Sequence, residues 1–233
     1  MTEALRIISL IASATEIVCA LGYRDRLVGR SHECDHPPDV EHLPQCSASR
    51  IDVSASSLEI DRQVKASVAQ AISVYRVLDD ELRRLEPTHL ITQTQCEVCA
   101  VSLSDVEQAL CHLIDLEPEI VVLEPMCLAD VWTDIRKVAV ALGDVASGER
   151  LVADLQQRLD RVSRAVADRP AKPTVVCLEW IDPLMSGGNW MPELVTIAGG
   201  TPLLAMPGEH SPWMTWDDLT AADPNVLVVL PCG

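Results

Sequence analysis

Six short runs of consecutive apolar residues punctuate the chain: RIISLI (6–11), RLVG (26–29), HLITQ (89–93), EIVVLE (119–124), TVVCLEW (174–180) and NVLVVL (225–230). Each is rich in Val, Ile and Leu and continuous rather than alternating. That is the pattern of strands buried on both faces. Helical periods lie between them. The first is SATEIVCALG, with Ser13 or Thr15 as cap and Gly22 as terminator. DRQVKASVAQAISV follows, then DDELRRLEP ending before Pro87, then SLSDVEQALCHLI with Ser104 as N-cap. Strands alternating with helices predict βαβ units and parallel sheets.

Residues 129–168 break that alternation with about forty residues of helical period and no strand. Gly143 and Gly148 are expected to divide them into two helices, the second running from Glu149 to Asp168. Its apolar positions Leu151, Val152, Leu155, Leu159, Val162 and Val166 form one stripe. The predicted fold class is therefore α/β: two Rossmann-like βα lobes with parallel sheets, joined by a long spine helix. The predicted domains are an N-terminal lobe (1–127), connecting helices (128–169) and a C-terminal lobe (170–233). Only two strands and two short helices are expected after the spine before the chain stops at VVLPCG, so the second lobe reads as truncated.

Composition narrows the partners. The chain has 233 residues, 48% of them hydrophobic, which suits a globular core. Acidic residues outnumber basic ones 35 to 18, a net charge of −17 that argues against nucleic acid and against an anionic membrane surface. The N-terminal apolar run follows an acidic residue and is interrupted by Ser13, Thr15 and Glu16. It reads neither as a signal peptide nor as a membrane insertion. The plain expectation is a cytoplasmic protein, or a periplasmic one if the recorded start is not the true one. Nine scattered cysteines suit a reducing compartment better than a disulfide scaffold.

In open parallel sheets, ligands sit beyond the carboxyl ends of the strands. Those ends carry ASATE (12–16), RSHECDHPP (30–38), TQCEVC (94–99), Pro125–Cys127, Glu179–Trp180 with SGGNW (186–190) close behind, and Pro231–Gly233. Cys34, Cys96, Cys99, Cys127 and Cys232 all fall there. The Cys96/Cys99 spacing suits two thiolates on one zinc ion or in an iron–sulfur cluster, with Cys34, His32, His36 or Cys46 completing the shell. The same residues also read as small, buried cleft residues. A redox pair ranks below both, because Glu97 between the thiols opposes a lowered thiol pKa. Trp180, Trp190, Trp213 and Trp216 lie in loop-like context and suit an aromatic wall for a flat ligand. No G-x-S-x-G, P-loop or Rossmann glycine fingerprint occurs, and no enzyme is predicted.

The opening RIISLIASATEIVCALGYRDRLVGRSHECDHPPDV, together with LEPTHLITQ and AADPNVLVVLPCG, resembles the helical-backbone class of substrate-binding proteins. That class serves ATP-driven importers of cobalamin, iron-siderophores and haem, and the opening is most similar to its cobalamin-binding-like subgroup. The resemblance implies a binder without turnover or required cofactor. It would hold cobalamin or a related corrinoid in an inter-lobe cleft and present it to an ABC permease. By the same resemblance, Ser13, Ala14, Thr15, His32, Asp35, Gln93, Gln95, Trp180 and Trp190 would face the ligand. Asp80 or Glu81 and Asp217 or Asp218 would pair with permease arginines. CEVC stands where the class usually places a ligand-contacting loop, and leaves open the alternative of a cytoplasmic thiolate metal- or cluster-binding protein on the same fold.

Overall fold

The computed structural model of the protein describes residues 4–70, 72–95, 103–111 and 117–231. It divides into two compact units. One comprises Met1–Ala55, Arg62–Glu124 and Asp134–Leu151; the other comprises Ser56–Asp61, Pro125–Thr133 and Val152–Gly233.

The first unit is built on a four-stranded parallel sheet in the order β2-β1-β5-β6. Its strands are β1 (Ile7–Ser9), β2 (Leu27–Arg30), β5 (His89–Gln93) and β6 (Glu119–Leu123). Four of the six apolar runs are these strands. Alternate residues leave the sheet on opposite faces, so each face has its own core. Ile7 packs with Ala14 and Val18 of α1 (Ala12–Ala20) and with Val138, Ala139 and Leu142 near the end of α5 (Leu128–Ala141). Ile8 and Leu90 pack instead with Leu82 and Leu85 of α3 (Asp79–Leu85) and with Val106 and Ala109 of α4 (Leu103–Cys111). A small antiparallel pair, β3 (Ser47–Ser49) with β4 (Tyr75–Val77), lies outside this sheet. The sequence offered no apolar run for either strand. The helix α2 (Ser57–Ala69) stands between them in the chain.

Several terminators differ from expectation. The N-cap of α1 is Ile11, and Ser13 and Thr15 lie inside the helix. The stop at Gly22 is as expected: Gly22 has φ +88°, its N–H reaches Cys19 O, and Tyr23 N–H reaches Val18 O. That is the paired bonding of a glycine-terminated helix. Ser104 is the second residue of α4, not its cap. Gly143 breaks the long helical region, with φ +76°, but Gly148 does not. It lies within α6 (Val145–Val166), where a Cβ would fall 2.5 Å from Ala139 Cβ. Its role is close helix packing, and α6 is about 33 Å long at 1.5 Å per residue.

The second unit has a mixed sheet rather than the wholly parallel one expected. β10 (Val226–Val229) runs parallel to β7 (Thr174–Ile181), β8 (Leu184–Ser186) is antiparallel to β7, and β9 (Thr201–Pro202) pairs parallel with it. Four strands and two helices, α7 (Met191–Ile197) and α8 (Trp216–Ala222), therefore follow α6, two strands more than the pattern predicted. The core here is small: Val176, Leu178, Leu184 and Leu219, backed by Leu203, Leu204 and Met214. All four residues of β10 are exposed, by 38–57%.

Candidate functional site

The loops beyond the strand ends of the first unit form a polar network on buried supports. After β1 the chain turns directly into α1. Ser13 is exposed on its first turn, while Ala14 and Thr15 are fully buried. Thr15 Oγ1 donates to Cys34 Sγ at 3.0 Å, fixing the 31–36 loop against α1. His32 accepts or donates at Nδ1 with Ser47 Oγ, 2.8 Å away, and its ring lies 5.2 Å from that of Tyr75. His32 Nε2 stands 3.0 Å from Glu33 Oε1 at an angle short of a hydrogen bond. This interaction with the imidazole holds the Glu33 carboxyl below its ordinary range. Arg30 is buried beneath the loop, donating to the carbonyls of Ser31, His32 and Glu41. Asp35 and His36 are exposed. At the end of β5, Gln93 is buried and Gln95 half-buried.

The described candidates for a thiolate shell are Cys34, Cys46, His32 and His36. Cys34 is 1% exposed and turned under Thr15, and burial pushes its thiol up. Cys46 sits in the apolar core among Ile8, Leu10 and Leu82, where burial pushes its thiol up to about 12. Among the described residues, no group of three or more His, Cys, Asp or Glu side chains is arranged to hold a metal ion. Cys96, Cys99 and Cys232 lie outside the described residues.

In the second unit, β7 carries Glu179 and Trp180 just before its last residue Ile181, and the β7–β8 hairpin leads back into Gly187–Trp190. Trp180 is half-buried, with Nε1 donating to Ser57 O at 3.3 Å and Asp182 O at 3.1 Å. Trp190 is half-buried at the N-cap of α7. Glu193, in the first turn of α7, accepts from Leu128 N–H at 2.7 Å and so secures the start of α5. Trp213 and Trp216 are 55% and 65% exposed. Sequence reasoning missed the partner of Glu179, which is Ser211, 32 residues away: Ser211 Oγ donates to Glu179 Oε2 at 2.5 Å. Burial raises the Glu179 carboxyl, and the Ser211 bond partly offsets that.

The four acids assigned to docking fall on two equivalent modules. In the first, α3 ends at Glu86 (φ 42°), Pro87 follows, and Thr88 leads into β5. In the second, α8 ends at Asp223 (φ 41°), Pro224 follows, and Asn225 leads into β10. Thr88 Oγ1 accepts from Arg6 N–H, and Asn225 Oδ1 accepts from Thr174 N–H, both at 3.0 Å. The same side-chain clamp thus joins the helix–strand module to the first strand of each sheet. Leu82 and Leu219 occupy matching buried positions, which aligns Asp80 with Asp217 and Glu81 with Asp218. Glu81 is held by Arg84 at 2.5 Å. Asp218 is held in a capping box with Thr215, whose hydroxyl bond lowers its carboxyl. The Asp80 side chain is 97% exposed, with Arg83 at 3.3 Å, and Asp217 is exposed in the first turn of α8.

Among the described residues, no helix is long and apolar enough to cross a membrane. No match was found among curated proteins. Solved structures of similar fold include the periplasmic haem-binding protein RhuT from Roseiflexus sp. RS-1 (23% identity, 97% of this chain and 76% of that one, TM-score 0.70). They also include a periplasmic haem-binding protein from Pseudomonas aeruginosa (21% identity, 97% and 71%, TM-score 0.70). A third is the periplasmic vitamin B12-binding protein BtuF of Vibrio cholerae (19% identity, 96% and 75%, TM-score 0.62). The chain spans about three quarters of the length of these proteins. A sequence profile described as "Periplasmic binding protein" matches residues 7–233. A further structure of similar fold is an ABC transporter substrate-binding protein from Listeria monocytogenes EGD-e (18% identity, 98% and 76%, TM-score 0.65). Matched over all but its first six residues, the chain belongs to the periplasmic binding protein family.

Proposed function

We propose that the solute carried by this binding protein is a corrinoid and that its delivery partner is an ABC permease. The observation that carries the ligand class is the pair Trp180 and Trp190. Both indoles are half-buried at the carboxyl end of β7 and the start of α7, outside the small aliphatic core of their unit. Hydrogen bonds fix the Trp180 ring rather than apolar packing alone. Rigid, partly exposed indoles offer large flat contact area at little entropic cost. Ser13, His32, Asp35 and Gln95 are assigned as polar contacts, with Ala14, Thr15 and Gln93 as the buried layer that positions them. We place the working compartment outside the cytoplasmic membrane, following the family rather than the N-terminal pattern.

Asp80 and Asp217 are assigned as the acids that meet permease arginines, in preference to Glu81, which is less exposed and held more closely by Arg84 than Asp80 is by Arg83, and to Asp218, which caps α8. Exposed carboxylates on equivalent modules present two negative points to a basic partner, and such charges act mainly on encounter rate.

Isothermal titration and absorption spectroscopy with cyanocobalamin test the ligand. A 1:1 complex with a shifted corrin spectrum is expected, and neither heat nor spectral change at saturating ligand would sink the reading.

A further inference from the structure

One serine ties together the two segments that carry Trp180 and Trp190. In β7 the pairing with β8 slips by one residue between Leu178, which faces Ser186, and Trp180, which faces Met185. Glu179 is the extra residue, and a bulge of this kind re-aims the side chain it carries. Glu179 Oε2 accepts from Ser211 Oγ at 2.5 Å, and Ser211 Oγ accepts from Gly188 N–H at 3.0 Å. Gly188 O in turn accepts from Met191 N–H at 2.9 Å, across Trp190 at the N-cap of α7. The bonds therefore run from the residue before Trp180 to the turn that holds Trp190. Backbone bonds from Asn189 N–H to Glu209 O (2.7 Å) and from Ser186 N–H to Pro212 O (2.9 Å) run alongside. Those are neutral amide bonds, whereas the strength of the Ser211 bond depends on the charge of Glu179.

A carboxylate is a costly way to make this link. Burial raises the Glu179 carboxyl, so its ionised form costs the fold stability that a neutral amide would not. Perturbed carboxyls of this kind cluster at functional sites. The titratable neighbours on the surrounding elements are engaged elsewhere or exposed. Cys177, two residues back on β7, has its thiol raised by burial and then by the Glu179 charge. Glu193 of α7 accepts from Leu128 N–H. Asp182 in the hairpin turn, and Glu209 and His210 beside Ser211, are exposed.

We propose that Glu179, acting through Ser211, is a positioning residue for the ligand: its carboxylate fixes the Gly188–Trp190 turn against β7 and so sets Trp190 relative to Trp180. This rests on the corrinoid reading above and needs no contact between Glu179 and the ligand. A hydrogen bond to an ionised acceptor is roughly twice as strong as a neutral one. Protonating Glu179 therefore loosens the turn without abolishing the bond. Affinity is full above the raised value of the Glu179 carboxyl and falls as pH drops through it, opposite in sign to that carboxyl's contribution to stability.

The test is isothermal titration of the intact chain with cyanocobalamin, whose own charge does not change between pH 8 and pH 5. Glu179→Gln keeps the shape and a neutral acceptor, and at pH 8 it should bind about fivefold more weakly than wild type, the step from a charged to a neutral hydrogen bond. Ser211→Ala should lose at least as much, and the double variant should bind no more weakly than the weaker single one. At pH 5 both gaps should narrow, as wild type takes up the proton. Circular dichroism and Tm are recorded at both pH values, so that a folding defect in one variant leaves the other to decide. Wild-type affinity in both folded variants at pH 8, a gap that is the same at both pH values, or additive losses in the double variant overturns the positioning role and leaves a corrinoid carrier standing. Failure of wild type itself to bind cyanocobalamin overturns the corrinoid reading and the positioning role together.

Discussion

Gly188 shows how much of the second unit depends on single atoms. Because a Cβ there would meet the backbone of residues 209–211, Gly188→Ala must push that loop away from Glu179. The expected cost is about 1–3 kcal/mol, as for other overpacked sites, read as a lowered urea midpoint in tryptophan fluorescence. An unchanged midpoint would contradict the geometry. Cys46 makes the opposite case of a residue shielded from chemistry. With its thiol pushed up to about 12, almost none is thiolate at pH 8. Mass spectrometry after iodoacetamide at that pH should find Cys46 unmodified until the protein unfolds. Glu179 brings pH dependence. Burial raises its carboxyl above the ordinary 4.5, so the fold prefers the neutral form. Its contribution to stability is fully present below about pH 4.5 and is lost as pH rises through the raised value. Asp218 and Asp130 run the other way. Their carboxyls are lowered from 3.8, so their contributions are present above that pH and are lost as pH falls through the lowered values. Denaturation midpoints from pH 4 upward should therefore decline less steeply in Glu179→Gln than in wild type.

At the scale of elements, the matched modules α3–β5 and α8–β10 give the sharpest expectation. Each helix ends on a non-glycine residue in the left-handed region, Glu86 or Asp223. Glutamate tolerates that region less well than aspartate. Glu86→Gly should stabilise the first unit by up to about 1 kcal/mol, the residual after glycine's own entropic cost, with a smaller gain for Asp223→Gly. These elements also show what the sequence could and could not reveal. The six apolar runs became the six principal strands; continuous apolarity answers to burial on both faces in β1 and β5, while the equally apolar β10 is exposed. SAS (47–49) and TP (201–202) became strands with no such run, through pairing with neighbours distant in sequence, and LMS (184–186) through a tight hairpin with β7. Ser13, Thr15 and Ser104 looked like caps, yet the helices begin before them, since strand β1 feeds α1 directly through Ile11. Trp180 and Trp190 could be singled out because tryptophan is rare here. Ser211 could not, because its bond to Glu179 arises only when the 206–211 loop folds back on Gly188.

The 233 residues together set a net charge of −17 against the exposed strand β10. β10 pairs with β7 on one side, and its residues Val226, Leu227, Val228 and Val229 remain 38–57% exposed. In the first unit the matching strand β5 has β6 alongside it and is buried throughout. Edges of this kind are normally blunted by lysine, proline or a bulge, and VLVV contains none of these. At low ionic strength the charge keeps copies of the chain apart, because repulsion reaches roughly 30 Å in 0.01 M salt and only about 3 Å in 1 M. Salt thus removes the protection and strengthens apolar association at once. For these 233 residues on their own, the four residues of β10 become a solubility limit. Light scattering should rise with added sulfate, and Leu227→Lys should move that onset to higher salt.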